Sequence, residues 1–98
     1  MTYKLSRKAA EDIANIYIEG VAAFGLAQAE KYHAEMETTF ELLADNPQIA
    51  RHRHEIDPPV RIHPFRSHIV IYLIDEEGDV LIVRVRHGRE DWQESPAD

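Results

Sequence analysis

The stretch "RVRHGREDW", residues 84 to 92, holds three guanidinium groups, an imidazole and an indole. Arg84, Arg86 and Arg89 each offer a planar fork that matches a carboxylate or a phosphate in bidentate fashion. Histidine, as a residue type, can serve as a general acid or base. Trp92 adds a flat apolar surface, and Trp with Arg is enriched at binding hot spots. Together these types suit recognition of an acidic partner. Arg61 and Arg66, on the segments just before, join them in a partner-binding set of Arg61, Arg66, Arg84, Arg86, His87, Arg89 and Trp92. The plainer alternative is internal. The arginines then pair with Glu90, Asp91 or acids of the helical hairpin, and Trp92 folds back onto the sheet to cover apolar surface.

This gathering of cations runs against the rest of the chain, whose net charge is -7. From Glu11 to Asp45 there are eight acids and one base, Lys31. From Val60 to Arg89 there are five arginines, at 61, 66, 84, 86 and 89, and four acids crowded at 75, 76, 77 and 79. Only three lysines occur in all, so the cationic bias is towards forked, specific contacts rather than general solubility. An acidic balance also argues against a general nucleic-acid binder, which needs clustered cations to neutralise phosphate.

Other chemistries find little support. There is no cysteine, hence no disulfide, thiolate metal site or cysteine nucleophile. Six histidines fall at 33, 52, 54, 63, 68 and 87, but "RHRHEID" matches no zinc-ligand spacing. Glu30, Glu37 and Glu41 lack the inward Glu-x-x-His pairs of a carboxylate metal site. The four glycines are isolated, which excludes phosphate-cradling loops. Ser67 and His68 are adjacent on an extended segment and point to opposite faces. The expectation is no catalytic residue, no metal and no cofactor. No apolar run nears the roughly 20 residues of a membrane span, and the N-terminus has no apolar signal region. A cytoplasmic protein without membrane contact is expected.

The elements that would position the cations follow from periodicity. "TYKL" alternates and reads as a short strand. Ser6 is a good helix N-cap. Ala9, Ile13, Ile16, Tyr17, Val21 and Phe24 then recur every three or four residues, the stripe of an amphipathic helix that stops at Gly25. A second stripe runs through Ala29, Tyr32, Met36, Phe40 and Leu43 and ends at "DNP", residues 45 to 47. Residues 48 to 59 read as a connecting loop. "VRIHPFR" is a strand that Pro64 confines to an edge or bulge. "HIVIYLID" is apolar on both sides, as a central strand would be. "EEGD" is turn chemistry before the last strand, "VLIVRVRH". Alternation there puts Leu81, Val83 and Val85 on a core face, and Val80, Ile82, Arg84 and Arg86 on the other. The 98 residues make one domain, residues 1 to 98. Its class is α+β, in the order β-α-α-β-β-β, with a helical hairpin packed on one face of a mainly antiparallel sheet.

Several pieces, in this order and at these spacings, carry a family resemblance. They are "FG..QA..Y" (Phe24, Gly25, Gln28, Ala29, Tyr32), "SH.VIY" (Ser67, His68, Val70, Ile71, Tyr72) and "RV.HGR.D" (Arg84, Val85, His87, Gly88, Arg89, Asp91). Over nearly the whole chain the sequence resembles the ParE toxins of bacterial type II toxin-antitoxin modules, within the RelE/ParE superfamily. The resemblance implies a RelE/ParE-like fold and a non-enzymatic toxin that inhibits DNA gyrase by protein contact. It also implies a cognate ParD-like antitoxin that neutralises the toxin in a hetero-oligomer. The superfamily's other function is ribosome-dependent mRNA cleavage of the RelE kind. That needs cationic and tyrosine side chains around the phosphate backbone, whereas the aromatic residue near this C-terminus is Trp92. A non-toxic antitoxin-binding module is the remaining alternative.

Overall fold

The computed structural model describes residues 2–53 and 59–89. Strand β1 (Tyr3–Leu5) leads into helices α1 (Arg7–Phe24) and α2 (Leu26–Asp45). Strands β2 (His52–Arg53), β3 (Val60–Phe65), β4 (His68–Ile74) and β5 (Val80–His87) follow. The sheet order is β1-β5-β4-β3-β2, with β1 parallel to β5 and every other pair antiparallel. The expected α+β order is therefore present, with one addition. Within residues 48 to 59, where the sequence reads as a loop, lies the two-residue strand β2, which pairs His52 with Arg61 and Arg53 with Val60.

Local chemistry explains the helix boundaries. The Ser6 hydroxyl accepts the Ala9 amide at 3.0 Å and donates to the Val83 carbonyl at 2.6 Å. One side chain thus caps α1 and satisfies the edge of β5 just beyond the reach of β1. Gly25 joins the helices with φ 92°, which a side chain would resist. Its amide closes α1 on the Val21 carbonyl. Asn46 ends α2, donating from both its amide and its side chain to the Leu42 carbonyl. Among the described residues β3 is flanked by β2 only at Val60 and Arg61, so Pro64 lies where none of them pairs with the strand's outer side.

The "EEGD" turn is built around Asp75. Its carboxylate accepts the amides of Glu77 and Asp79 at 2.9 Å each, and Lys4 of β1 reaches it at 3.1 Å. The Asp79 amide is the leading reason this carboxyl is held below the usual carboxylate range, with Lys4 and the Glu77 amide adding to it. A lowered folded value means stability that is complete above the ordinary carboxylate range and fades as pH falls through the lowered value. Asp75→Asn keeps an acceptor but removes this titration. Urea unfolding of the variant is expected to lose less stability between neutral and acid pH than the wild type does.

Helices and sheet meet in a core of Met36, Phe40 and Leu43 from α2, Ala9 from α1, and Val70, Tyr72, Val80, Ile82 and Val85 from the sheet. Tyr72 is fully buried and donates its hydroxyl to the Pro47 carbonyl at 2.9 Å. Burial is the main cause that pushes this phenol's pKa up. The far face of the sheet is also apolar: Val60, Ile71 and Val83 are buried there, with Ile62, Ile69, Leu73 and Leu81 around them.

The core-face assignment for β5 needs correcting. Ile71 pairs with Arg84 but Tyr72 pairs with Ile82, so Val83 is an extra residue in a β-bulge. The bulge resets the alternation. Val80, Ile82 and Val85 face the helices, while Leu81 and Val83 face away. Arg84 and Arg86 lie opposite Ile71 and Ile69 and so share the face away from the helices.

The helical stripe also stops short. On α1 the residues packed on the core end at Ile16. Beyond them Ile18, Phe24 and Leu26 are 62%, 75% and 56% exposed. Phe24, placed on the stripe by its spacing, stands at the hairpin tip and is left largely exposed.

Candidate partner-binding site

Arg84 is committed within the chain. Its Nε and Nη2 donate to the Asp12 carboxylate at 2.7 and 2.9 Å, a bidentate pair. The same carboxylate accepts the Val85 amide at 3.1 Å. Asp12 thereby caps the edge of β5 where β1 has ended, and Arg84 wraps round that edge to meet it. Both side chains are largely buried. Arg84 is a structural tie between α1 and β5, which is the internal alternative realised for this residue.

The other predicted residues divide into two places. Arg61 lies on β3 towards the β2 edge, opposite His52 and Tyr72, and donates to the Ala50 carbonyl at 2.6 Å. It is therefore separate from the rest. Arg66, His87 and Arg89 come together at one end of the sheet, because antiparallel register sets His87 opposite His68. Arg66 occupies the β3–β4 turn with φ 53° and pairs with Glu35 of α2. Gly88 donates to the Ser67 carbonyl at 2.9 Å, tying the end of β5 to that turn. Arg86 adjoins this end on the face away from the helices, and Arg89 is exposed. Trp92 lies outside the described residues.

The structure brings further residues to this end of the sheet. A groove of about 760 Å³ opens between the helical hairpin and this end of the sheet. Ile13, Ile16, Phe24 and Met36 line it with apolar surface. Its polar side holds Tyr32, whose hydroxyl lies 2.7 Å from His68 Nδ1, and His87, whose ring sits edge-on to His68 at 5.4 Å. Tyr32 reads as a core residue from its place on the α2 stripe, and its ring does pack edge-on against Phe65. Its hydroxyl, however, points to the histidines. The two histidines are 19 positions apart, and only strand register makes them neighbours. The "SH" and "HGR" pieces of the family pattern were the available signal.

Chemically, this end combines an apolar trough, exchangeable protons and guanidinium groups, a composition suited to an amphipathic protein segment. Among the described residues no group of three or more His, Asp or Glu side chains is placed to hold a metal ion. No helix among them is long and apolar enough to cross a membrane.

The comparisons agree with this fold. The family profile for the ParE toxin of type II toxin-antitoxin system, parDE, matches residues 3–92. Toxin ParE1 of Mycobacterium tuberculosis strain H37Rv is 35% identical over 89 residues, covering 91% of each chain. Toxin ParE1 of Caulobacter vibrioides is 31% identical over 85 residues, covering 87% of this chain and 86% of its own. A solved chain of the chromosomal ParDE TA system from P. aeruginosa superposes with a TM-score of 0.74 at 23% identity, over 89% of this chain and 95% of that one. That last likeness establishes the RelE/ParE-like fold, and the sequence matches establish the family. The chain belongs to the ParE toxins of type II toxin-antitoxin systems.

Proposed function

We propose that this toxin inhibits DNA gyrase through protein contact, without catalysis of its own, and that a cognate ParD-like antitoxin neutralises it. Membership of the family supports the reading, and the arrangement at the end of β5 carries it. Arg89 is exposed there, Arg86 lies on the face away from the helices, and the groove, lined by Arg66 and His87, opens on the helix side of the same end. An amphipathic antitoxin segment, disordered on its own, would lay apolar side chains in the groove and carboxylates on the arginines. Gyrase would meet the same cationic end, so a bound antitoxin would exclude it, and such a toxin would act in the cytoplasm. Arg84 drops out of the contact set because its fork serves Asp12.

The His68, His87 and Tyr32 cluster favours one second reading, RelE-like mRNA cleavage, since histidine pairs serve as general acid and base. Supercoiling by purified gyrase, run beside cell-free translation, separates the two. Loss of supercoiling with intact mRNA is the expected result. Arg86→Glu with Arg89→Glu is expected to weaken inhibition about tenfold or more. Untouched supercoiling with halted translation would transfer the function to the nuclease reading.

A further inference from the structure

His87 ends β5, and its Nδ1 accepts the Arg89 amide at 3.2 Å. Acceptor and donor are two residues apart. This is the spacing at which Asp and Asn side chains close an Asx turn. An imidazole nitrogen accepts only when it carries no proton, so a neutral His87 in this geometry holds its proton on Nε2. A second proton, on Nδ1, would turn the acceptor into a donor facing another donor. The Gly88 amide is meanwhile fixed on the Ser67 carbonyl. Among the described residues, the His87 bond adds a second restraint, on the residue after Gly88.

We propose that His87 is a positioning residue which aims Arg89 at the toxin's protein partner through an unprotonated Nδ1, and that acidification releases Arg89. The partner half rests on the reading given above. The turn itself rests on geometry alone. Among the described residues, several groups share the surroundings of His87. They are His68 from β4, Tyr32 through His68, Lys31, His33 and Glu35 from α2, and Glu19 from α1. Arg66 of the β3–β4 turn, held by Glu35, lines the same groove. Arg86 and Arg89 complete the set along the chain.

Nitrogen-edited NMR of the full chain reads the tautomer and the protection of the Arg89 amide. The wild type is compared with His87→Asn, which keeps an acceptor at Asx-turn spacing but does not titrate, and with His87→Ala. At about pH 8, an Nδ1 without a proton and roughly tenfold protection of the Arg89 amide are expected in the wild type. That protection is expected to vanish towards about pH 5, to persist at both values in His87→Asn, and to be absent at both in His87→Ala. Gyrase binding by the wild type should weaken on acidification relative to His87→Asn. A proton on Nδ1 at the higher pH overturns the positioning role, as does an Arg89 amide in His87→Asn that exchanges like that of His87→Ala. A titrating turn combined with equal gyrase binding by wild type and His87→Asn overturns the partner half. Wild type that leaves gyrase alone at every pH overturns the functional reading and the aim of Arg89 with it. The NMR result tells the two failures apart.

Discussion

Replacing Asp12 with alanine is expected to cost about 3 kcal/mol of stability, near the lower end for breaking a buried ion pair. Its carboxylate accepts three hydrogen bonds, two from Arg84 and one from the Val85 amide, at 2.7, 2.9 and 3.1 Å. The side chains of the pair are 15% and 16% exposed, so water can only partly replace what is lost. Alanine leaves a mostly buried guanidinium without its fork partner and an edge amide without its acceptor. Asp12→Asn should cost less, because an amide oxygen still accepts from Val85. The double variant Asp12→Ala, Arg84→Met should recover part of the loss, since it removes the stranded charge as well. Urea midpoints at constant slope measure all three. A change within about 0.5 kcal/mol for Asp12→Ala would class the pair with ordinary surface contacts. The experiment also protects the functional test: an Arg84 variant that fails to bind a partner fails first as a fold.

The second large effect is expected at Phe40, where alanine should cost about 4 kcal/mol. Phe40 is 1% exposed and meets the Tyr3 ring edge-on at 5.3 Å, so truncation leaves a cavity between α2 and β1. For a domain of this length that corresponds to a melting temperature lower by roughly 20 °C. Total stability of about 5–15 kcal/mol would leave such a variant partly unfolded at the low end of that range. Phe24→Ala is the control. Its ring is 75% exposed, and a change within about 0.5 kcal/mol is expected. Comparable melting of the two variants would mean the hairpin tip is packed in a way the structure does not contain.

Phe24 and Phe40 look alike in the sequence, since both stand on apolar stripes of helical spacing. Spacing reports which face of a helix a residue occupies. It does not report whether the sheet extends far enough to cover that face. Tyr32 makes the same point with a different outcome, because its stripe position is right while its hydroxyl belongs to the groove.

What the sequence determined by itself was local. Ser6, Gly25, Asn46 with Pro47, and the Asp75–Asp79 turn each act within a few residues, through caps, left-handed backbone or a lost amide, so the element order could be read directly. The family patterns added the fold and the toxin class. Tertiary structure alone decided the rest. The Val83 bulge is a choice of pairing between β4 and β5, and it moved Val85 to the helix side. Asp12 finds Arg84 across 72 positions, and Tyr32 finds His68 across 36. These contacts depend on strand register and on where the short β1 leaves the β5 edge open, and no periodicity in the chain encodes such distant geometry.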